Sequence, residues 1–124
     1  MLELEVNASL KKDEQYASLL SQIYELCNGE NDVIANLANI SAALKQTFNW
    51  WWIGFYFVKN NELVLGPFQG PVACTRIGFG KGVCGKTWEI KKTIIVNDVE
   101  KFSGSAGCCS RSATTPRSRG CCPG

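Results

Sequence analysis

The first 48 residues place apolar side chains at the spacing of two amphipathic helices. Residues 9–28 are predicted to form the first helix, with Ser9 as its N-terminal cap and Gly29 as its stop. Residues 32–48 are predicted to form the second helix. The recurring apolar positions are Leu19, Leu20, Ile23, Leu26 and Cys27 in the first segment and Val33, Leu37, Ile40, Leu44 and Phe48 in the second.

Beyond residue 50 the apolar pattern changes period, and short strands become the favoured element. The predicted strands are residues 51–58, 62–66, 73–77 and 93–96. A glycine-rich loop at residues 78–82 precedes a short helix predicted at residues 83–90, and its backbone is free to approach another group closely. This order of elements predicts an α+β fold with a mainly antiparallel sheet flanked by N-terminal helices.

The composition changes abruptly at residue 103. Residues 1–102 read as one folded domain, whereas residues 103–124 contain no Val, Ile, Leu, Met, Phe, Tyr, Trp or acidic residue. Because this tail has almost nothing to bury, we expect it to be a disordered, low-complexity segment of Cys, Arg, Ser and Gly. Its three arginines account for the positive charge, since the rest of the chain holds ten basic and eleven acidic residues. An interaction tail and the product of a shifted reading frame both fit this composition.

Charge and composition exclude several classes of function. The net charge of +2 is too small to predict binding to nucleic acid or to a membrane surface. Histidine, the commonest general base and metal ligand, is absent from the sequence. No apolar run approaches the roughly 18 residues of a membrane helix, and the acidic N-terminus does not read as a secretory signal. We therefore expect a cytoplasmic protein, in which seven cysteines favour redox chemistry over structural disulfides.

Residues 49–102 carry motifs of a known family. The matching stretches are residues 49–56, the run Leu63-Val64-Leu65-Gly66-Pro67-Phe68-Gln69-Gly70, Ala73-Cys74, residues 80–85 and Asp98. In these stretches the chain resembles the free methionine-(R)-sulfoxide reductases, which are single GAF-domain enzymes acting on the free amino acid. The resemblance implies a GAF-like domain whose C-terminal part, including further strands and a helix, is missing here.

The resemblance also implies roles for individual residues. Cys108 is expected to be the nucleophile, with Cys84 or Cys74 as the resolving thiol, although the attacking role could instead belong to Cys84. Trp52 and Tyr56 are expected to enclose the methionine side chain, and the amides of Gly82, Val83 and Cys84 to bind the substrate carboxylate or sulfoxide oxygen. The implied partners are free methionine-(R)-sulfoxide, a thioredoxin-like reductant and, in some relatives, a second copy of the chain. We expect no cofactor.

The local sequence supports a reactive Cys84, but each candidate site residue also has a simpler structural interpretation. Cys84 lies near the predicted start of a helix, where backbone N–H groups stabilise a thiolate. Cys74 and Cys84 could also be inert packing residues, and Trp52 and Tyr56 could be ordinary core. Cys27 lies on the apolar face of the first predicted helix and is expected to be a core residue. A zinc site is not expected, because Cys108-Cys109 and Cys121-Cys122 are adjacent pairs without the usual two-residue spacing.

Two further interpretations compete with the enzyme. One is a non-catalytic GAF module that binds a small ligand or a partner. The other is an inactive truncated product, because residues 103–107 lack the histidine and apolar residues that precede the third cysteine in the family.

Overall fold

The structure, a computed structural model, describes residues 3–102, and for Glu100 its backbone alone. The helices are α1 (Lys12–Cys27), α2 (Val33–Phe48) and α3 (Gly82–Ile90), followed by a 3₁₀ turn (Val99–Lys101). The strands are β1 (Ile53–Lys59), β2 (Glu62–Gln69) and β3 (Arg76–Gly78). The predicted α+β class is confirmed. In residues 3–102 no helix is long and apolar enough to cross a membrane.

The chain forms two compact units. Of the described residues, the first contains residues 3–55 together with Gly66–Pro71, and the second contains Tyr56–Leu65 and residues 72–102. The hairpin of β1 and β2 therefore contributes its base to the first unit and its tip to the second. Cys74 and Cys84 both belong to the second unit, and Trp52 belongs to the first.

The two N-terminal helices begin and end at local signals. The backbone N–H of Lys11 donates to Glu14 Oε2 at 3.1 Å, and α1 starts at Lys12. Ser9 is not the cap that the sequence predicts, because its N–H and hydroxyl donate to Asn7 Oδ1 in a turn upstream of the helix. Gly29 is confirmed as the stop, with a φ of +85° just beyond the helix.

The core of the first unit lies where α1 and α2 meet. Leu19 and Ala43 are each 1% exposed, and the hydroxyl of the buried Ser41 donates to the carbonyl of Leu37 at 2.9 Å. That bond satisfies the Ser41 hydroxyl, which is buried among these apolar side chains. Asp32 caps α2 by accepting from the N–H of Ala35 at 2.9 Å.

The described sheet has the order β1-β2-β3. Asn60 and Asn61 join β1 to β2 with φ values of 50° and 61°, as a type I′ hairpin turn requires, so these two strands run antiparallel. β3 pairs antiparallel with β2, and Leu63 lies opposite Ile77. These two side chains are 5% and 2% exposed and form the apolar contact between the strands.

The prediction of a strand at residues 93–96 is wrong. These residues adopt no regular structure, and Ile95 is 86% exposed. Their β-branched side chains favour an extended backbone, but a strand also needs a hydrogen-bonded neighbour, which β-propensity alone does not supply. The predicted third strand is also displaced, since Ala73 and Cys74 precede β3 and lie outside it.

Candidate functional site

Cys84 lies in the first turn of α3, directly after the glycine-rich loop. The first helical hydrogen bond runs from the N–H of Gly85 to the carbonyl of Lys81 at 2.9 Å. The amides of Gly82, Val83 and Cys84 therefore precede that bond at the positive end of the helix dipole. Such an arrangement favours an anion, either a thiolate at Cys84 or an oxygen of a bound molecule. The predicted placement of Cys84 at a helix N-terminus is confirmed.

Gly85 lets this helix approach the loop very closely. A Cβ at this position would lie 2.5 Å from the carbonyl oxygen of Gly78, a distance that real Cβ atoms do not adopt. The N–H of Gly80 donates to the carbonyl of Gly85 at 3.1 Å, and Gly80 and Gly82 have φ values of 72° and 57°. The loop and the start of α3 thus form one compact turn that fixes the backbone next to Cys84.

An aromatic pair joins this helix to the loop before it. Phe79 and Trp88 meet edge to face, with ring centroids 4.8 Å apart. Thr87 donates its hydroxyl to the carbonyl of Val83 at 2.8 Å, within the helix itself. These contacts stabilise the helix turns that contain and follow Cys84.

Cys74 lies in the irregular segment between β2 and β3 and is half-buried. The hydroxyl of Tyr56, a β1 residue, donates to the carbonyl of Cys74 at 2.8 Å. Arg76, two residues further on, forms a cross-strand ion pair with Glu62. Cys74 is therefore held through its backbone by the tip of the β1–β2 hairpin.

Trp52 is packed within the first unit. Its ring stacks on Phe68 with a centroid distance of 5.6 Å and an interplanar angle of 17°. A Cβ at Gly54 would lie 2.7 Å from Trp52 Cη2, so the ring also covers that glycine. Trp52 comes one residue before β1 begins, whereas the sequence predicts it as a strand residue. These contacts explain Trp52 as a packing residue, and its contact with a substrate stays a prediction.

The remaining predicted residue, Cys108, lies outside the described residues together with the whole predicted tail. Within residues 3–102, no group of three or more Cys, Asp or Glu residues is arranged to hold a metal ion.

Comparison with known proteins identifies the family. No protein-family model matches the chain. GAF domain-containing protein A of Dictyostelium discoideum is 59% identical over 111 residues, which cover 89% of this chain and 70% of that protein. The free methionine-R-sulfoxide reductase of Saccharomyces cerevisiae is 39% identical over 110 residues, covering 82% of this chain and 61% of that enzyme. The chain belongs to the GAF-domain family of free methionine-R-sulfoxide reductases.

The structure has the same fold as solved members of this reductase family. The free methionine-R-sulfoxide reductase of Neisseria meningitidis, solved in complex with its substrate, matches with a TM-score of 0.80 and 48% sequence identity. The match covers 84% of this chain and 63% of that one. The chain thus spans about two thirds of the length of these family members.

Two features of the site were not predicted from the sequence. The bond from Tyr56 to the Cys74 carbonyl joins residues 18 positions apart, and no local pattern marks it. The close approach at Gly85 was also missed, although the sequence contains a clue to it. A glycine inside a helix lowers stability, so its presence there indicates that another group must come close.

Proposed function

We propose that this chain reduces free methionine-(R)-sulfoxide to methionine with its own thiols. The observation that carries the proposal is the match to the Neisseria enzyme solved with its substrate, at 48% identity over most of this chain. The placement of Cys84 at the N-terminus of α3 and of Cys74 in the same unit supports it.

The proposed chemistry transfers one oxygen atom and two electrons. A thiolate attacks the sulfoxide sulfur, the sulfoxide oxygen takes up a proton, and methionine leaves as the attacking cysteine becomes a sulfenic acid. A second cysteine thiol displaces the hydroxyl as water and forms a disulfide, which an external dithiol reduces. We assign the attack to Cys108 and the displacement to Cys84 or Cys74, with a thioredoxin-like cytoplasmic protein as reductant.

Substrate binding is proposed at the start of α3 and on aromatic side chains. The amides of Gly82, Val83 and Cys84 offer N–H donors to the substrate carboxylate or to the sulfoxide oxygen. The rings of Trp52 and Tyr56 offer apolar faces that suit a thioether-like group.

A coupled assay tests the proposal. Thioredoxin, thioredoxin reductase and NADPH are supplied with free methionine-(R)-sulfoxide, and NADPH oxidation is followed by absorbance. We expect turnover with the R sulfoxide of the free amino acid and none with the S sulfoxide. Folded protein that gives no turnover above background would overturn the enzyme assignment.

Cysteine variants assign the roles in the same assay. Cys108→Ser is expected to abolish turnover, whereas Cys109→Ser, its neighbour, is the matched control and keeps it. Loss of turnover in Cys109→Ser with retention in Cys108→Ser would reverse this assignment. The resolving thiol is identified by whether Cys84→Ser or Cys74→Ser accumulates a sulfenic acid that dimedone traps.

A second candidate is a GAF module that binds the sulfoxide without reducing it. The similarity to a relative named only for its GAF domain, at 59% identity, favours keeping this candidate. Isothermal titration calorimetry tests this candidate. Binding of methionine-(R)-sulfoxide by the protein, together with no turnover in the coupled assay, would favour the binding module over the enzyme.

A further inference from the structure

Cys74 lies in the irregular segment that connects β2 to β3. β2 ends at Gln69 and β3 begins at Arg76, and residues 72–74 are neither helix nor strand. Val72 is 97% exposed, so its side chain adds no packing to this segment. The backbone of this segment is therefore held by hydrogen bonds outside the regular ladders.

Two hydrogen bonds tie the end of this segment to the hairpin tip of the same unit. The Tyr56 hydroxyl donates to the Cys74 carbonyl at 2.8 Å, which is the usual length for a hydroxyl donor. The backbone N–H of Leu65 donates to the carbonyl of Thr75 at 3.0 Å. The first of these acts directly on the cysteine, and the second acts on its neighbour.

We propose that Tyr56 is a positioning residue that holds Cys74 for disulfide formation through the Cys74 carbonyl. The carbonyl carbon and the Cβ of Cys74 are both bonded to its Cα, so fixing the carbonyl fixes the point from which the thiol extends. The proposal rests on the proposed function, in which Cys74 is one of the two candidates for the resolving thiol.

Disulfide formation explains why this restraint matters. The thiol of Cys74 would displace water from a cysteine sulfenic acid, forming one S–S bond and breaking one S–O bond. A disulfide requires the two Cα atoms to lie about 4.4–6.8 Å apart, so a backbone that drifts by a few ångströms lowers the rate. The hydroxyl of Tyr56 thereby restrains the Cys74 backbone, a role separate from any contact between the Tyr56 ring and the substrate.

The reactivity of the Cys74 thiol toward iodoacetamide measures this restraint without requiring turnover. The reduced full-length chain is alkylated for increasing times, digested with trypsin and analysed by mass spectrometry. Cys74, Cys84 and Cys27 fall in separate tryptic peptides, residues 60–76, 82–86 and 13–45. The ratio of Cys74 to Cys84 labelling within one sample cancels any change in overall stability.

Tyr56→Phe keeps the ring and removes the hydroxyl, and Tyr24→Phe is its matched control because Tyr24 is 72% exposed on α1. We expect Tyr56→Phe to raise the rate of Cys74 labelling about threefold to tenfold, the factor that one neutral hydrogen bond supports. Labelling of Cys84 and Cys27 should stay unchanged, and Tyr24→Phe should change none of the three.

The outcomes separate the two proposals. An unchanged Cys74 rate, or an equal rise at all three cysteines, would overturn the positioning role whether or not the chain turns over. In an active chain, Tyr56→Phe should lower kcat with KM unchanged and increase the sulfenic acid trapped by dimedone. A rise in KM with kcat unchanged would instead make the hydroxyl a substrate contact and overturn the inference.

Discussion

Asn60 and Asn61 show how two residues determine a turn. Both have positive φ, which costs most side chains about 1–2 kcal/mol and asparagine less. The strands predicted at residues 51–58 and 62–66 leave this asparagine pair between them, and such a pair between two apolar runs is typical of a hairpin turn.

Replacing Asn61 tests the cost of that conformation. Asn61→Ala is expected to lower the free energy of unfolding by about 1 kcal/mol, since alanine adopts positive φ with more strain. Asn61→Gly should leave it unchanged or raise it. Urea denaturation followed by circular dichroism measures both. Asn31→Ala, exposed and without positive φ, is the control and should change stability by less than about 0.5 kcal/mol.

Individual residues also mark where sequence reasoning fails. Ser9 has the right chemistry for a helix cap, yet Asn7 captures its N–H and hydroxyl first. Such local competition between side chains depends on backbone angles that the residue order does not reveal. Tyr56 was predicted only as an apolar wall, and its hydroxyl contact with Cys74 depends on tertiary structure.

The elements follow the sequence best where a strong period spans a long segment. α1 and α2 were predicted within three residues of their observed ends. β2 was predicted to stop at Gly66, but it continues through Pro67 to Gln69. A proline ends a strand only where its missing N–H is needed in the ladder, which the sequence does not disclose.

Helix α3 depends on its close contact with the loop before it. Gly85→Ala is expected to lower the free energy of unfolding by about 1–3 kcal/mol, because the added methyl group overlaps the carbonyl of Gly78. Without that contact the same change would stabilise a helix by about 0.5–1 kcal/mol. Urea denaturation gives the sign directly.

Gly78→Ala is the matched control for this helix. Its Cβ would lie 3.3 Å from Lys81 Cγ, an atom of a flexible side chain that can move aside. We expect a change of less than about 1 kcal/mol. If both variants are equally unstable, the effect is not specific to the approach of α3.

At the scale of the whole molecule, little apolar surface is fully buried. Among the described residues, the deeply buried apolar side chains are Leu19, Ala43, Leu63 and Ile77, divided between the two units. A small core gives a small free energy of unfolding, so a bound ligand should have a large relative effect.

That effect is measurable as a shift of the urea midpoint. Methionine-(R)-sulfoxide at 100 times its Kd should raise the free energy of unfolding by about 2.7 kcal/mol. Leucine at the same concentration is the control and should give no shift. The absence of any shift with the sulfoxide up to high concentration would contradict specific binding.

The site as a whole was predicted in part. Cys84 was placed correctly at the start of a short helix, because its motif is local in the chain. Cys74 was predicted inside a strand at residues 73–77, but it lies before β3 in an irregular segment. The distribution of Trp52 and Tyr56 between two units was not predicted, because both fall within the strand predicted at residues 51–58, whereas Trp52 precedes β1.

The arrangement of the tryptophans has an optical consequence. Trp50, Trp51 and Trp52 belong to the first unit, whereas Trp88 belongs to the second and lies on α3, one turn after Cys84. The difference in fluorescence between the parent chain and Trp88→Phe therefore isolates the emission of one indole in the unit that holds Cys74 and Cys84. The chain carries a built-in fluorophore beside its proposed redox centre, and no external label is needed to follow that helix in real time.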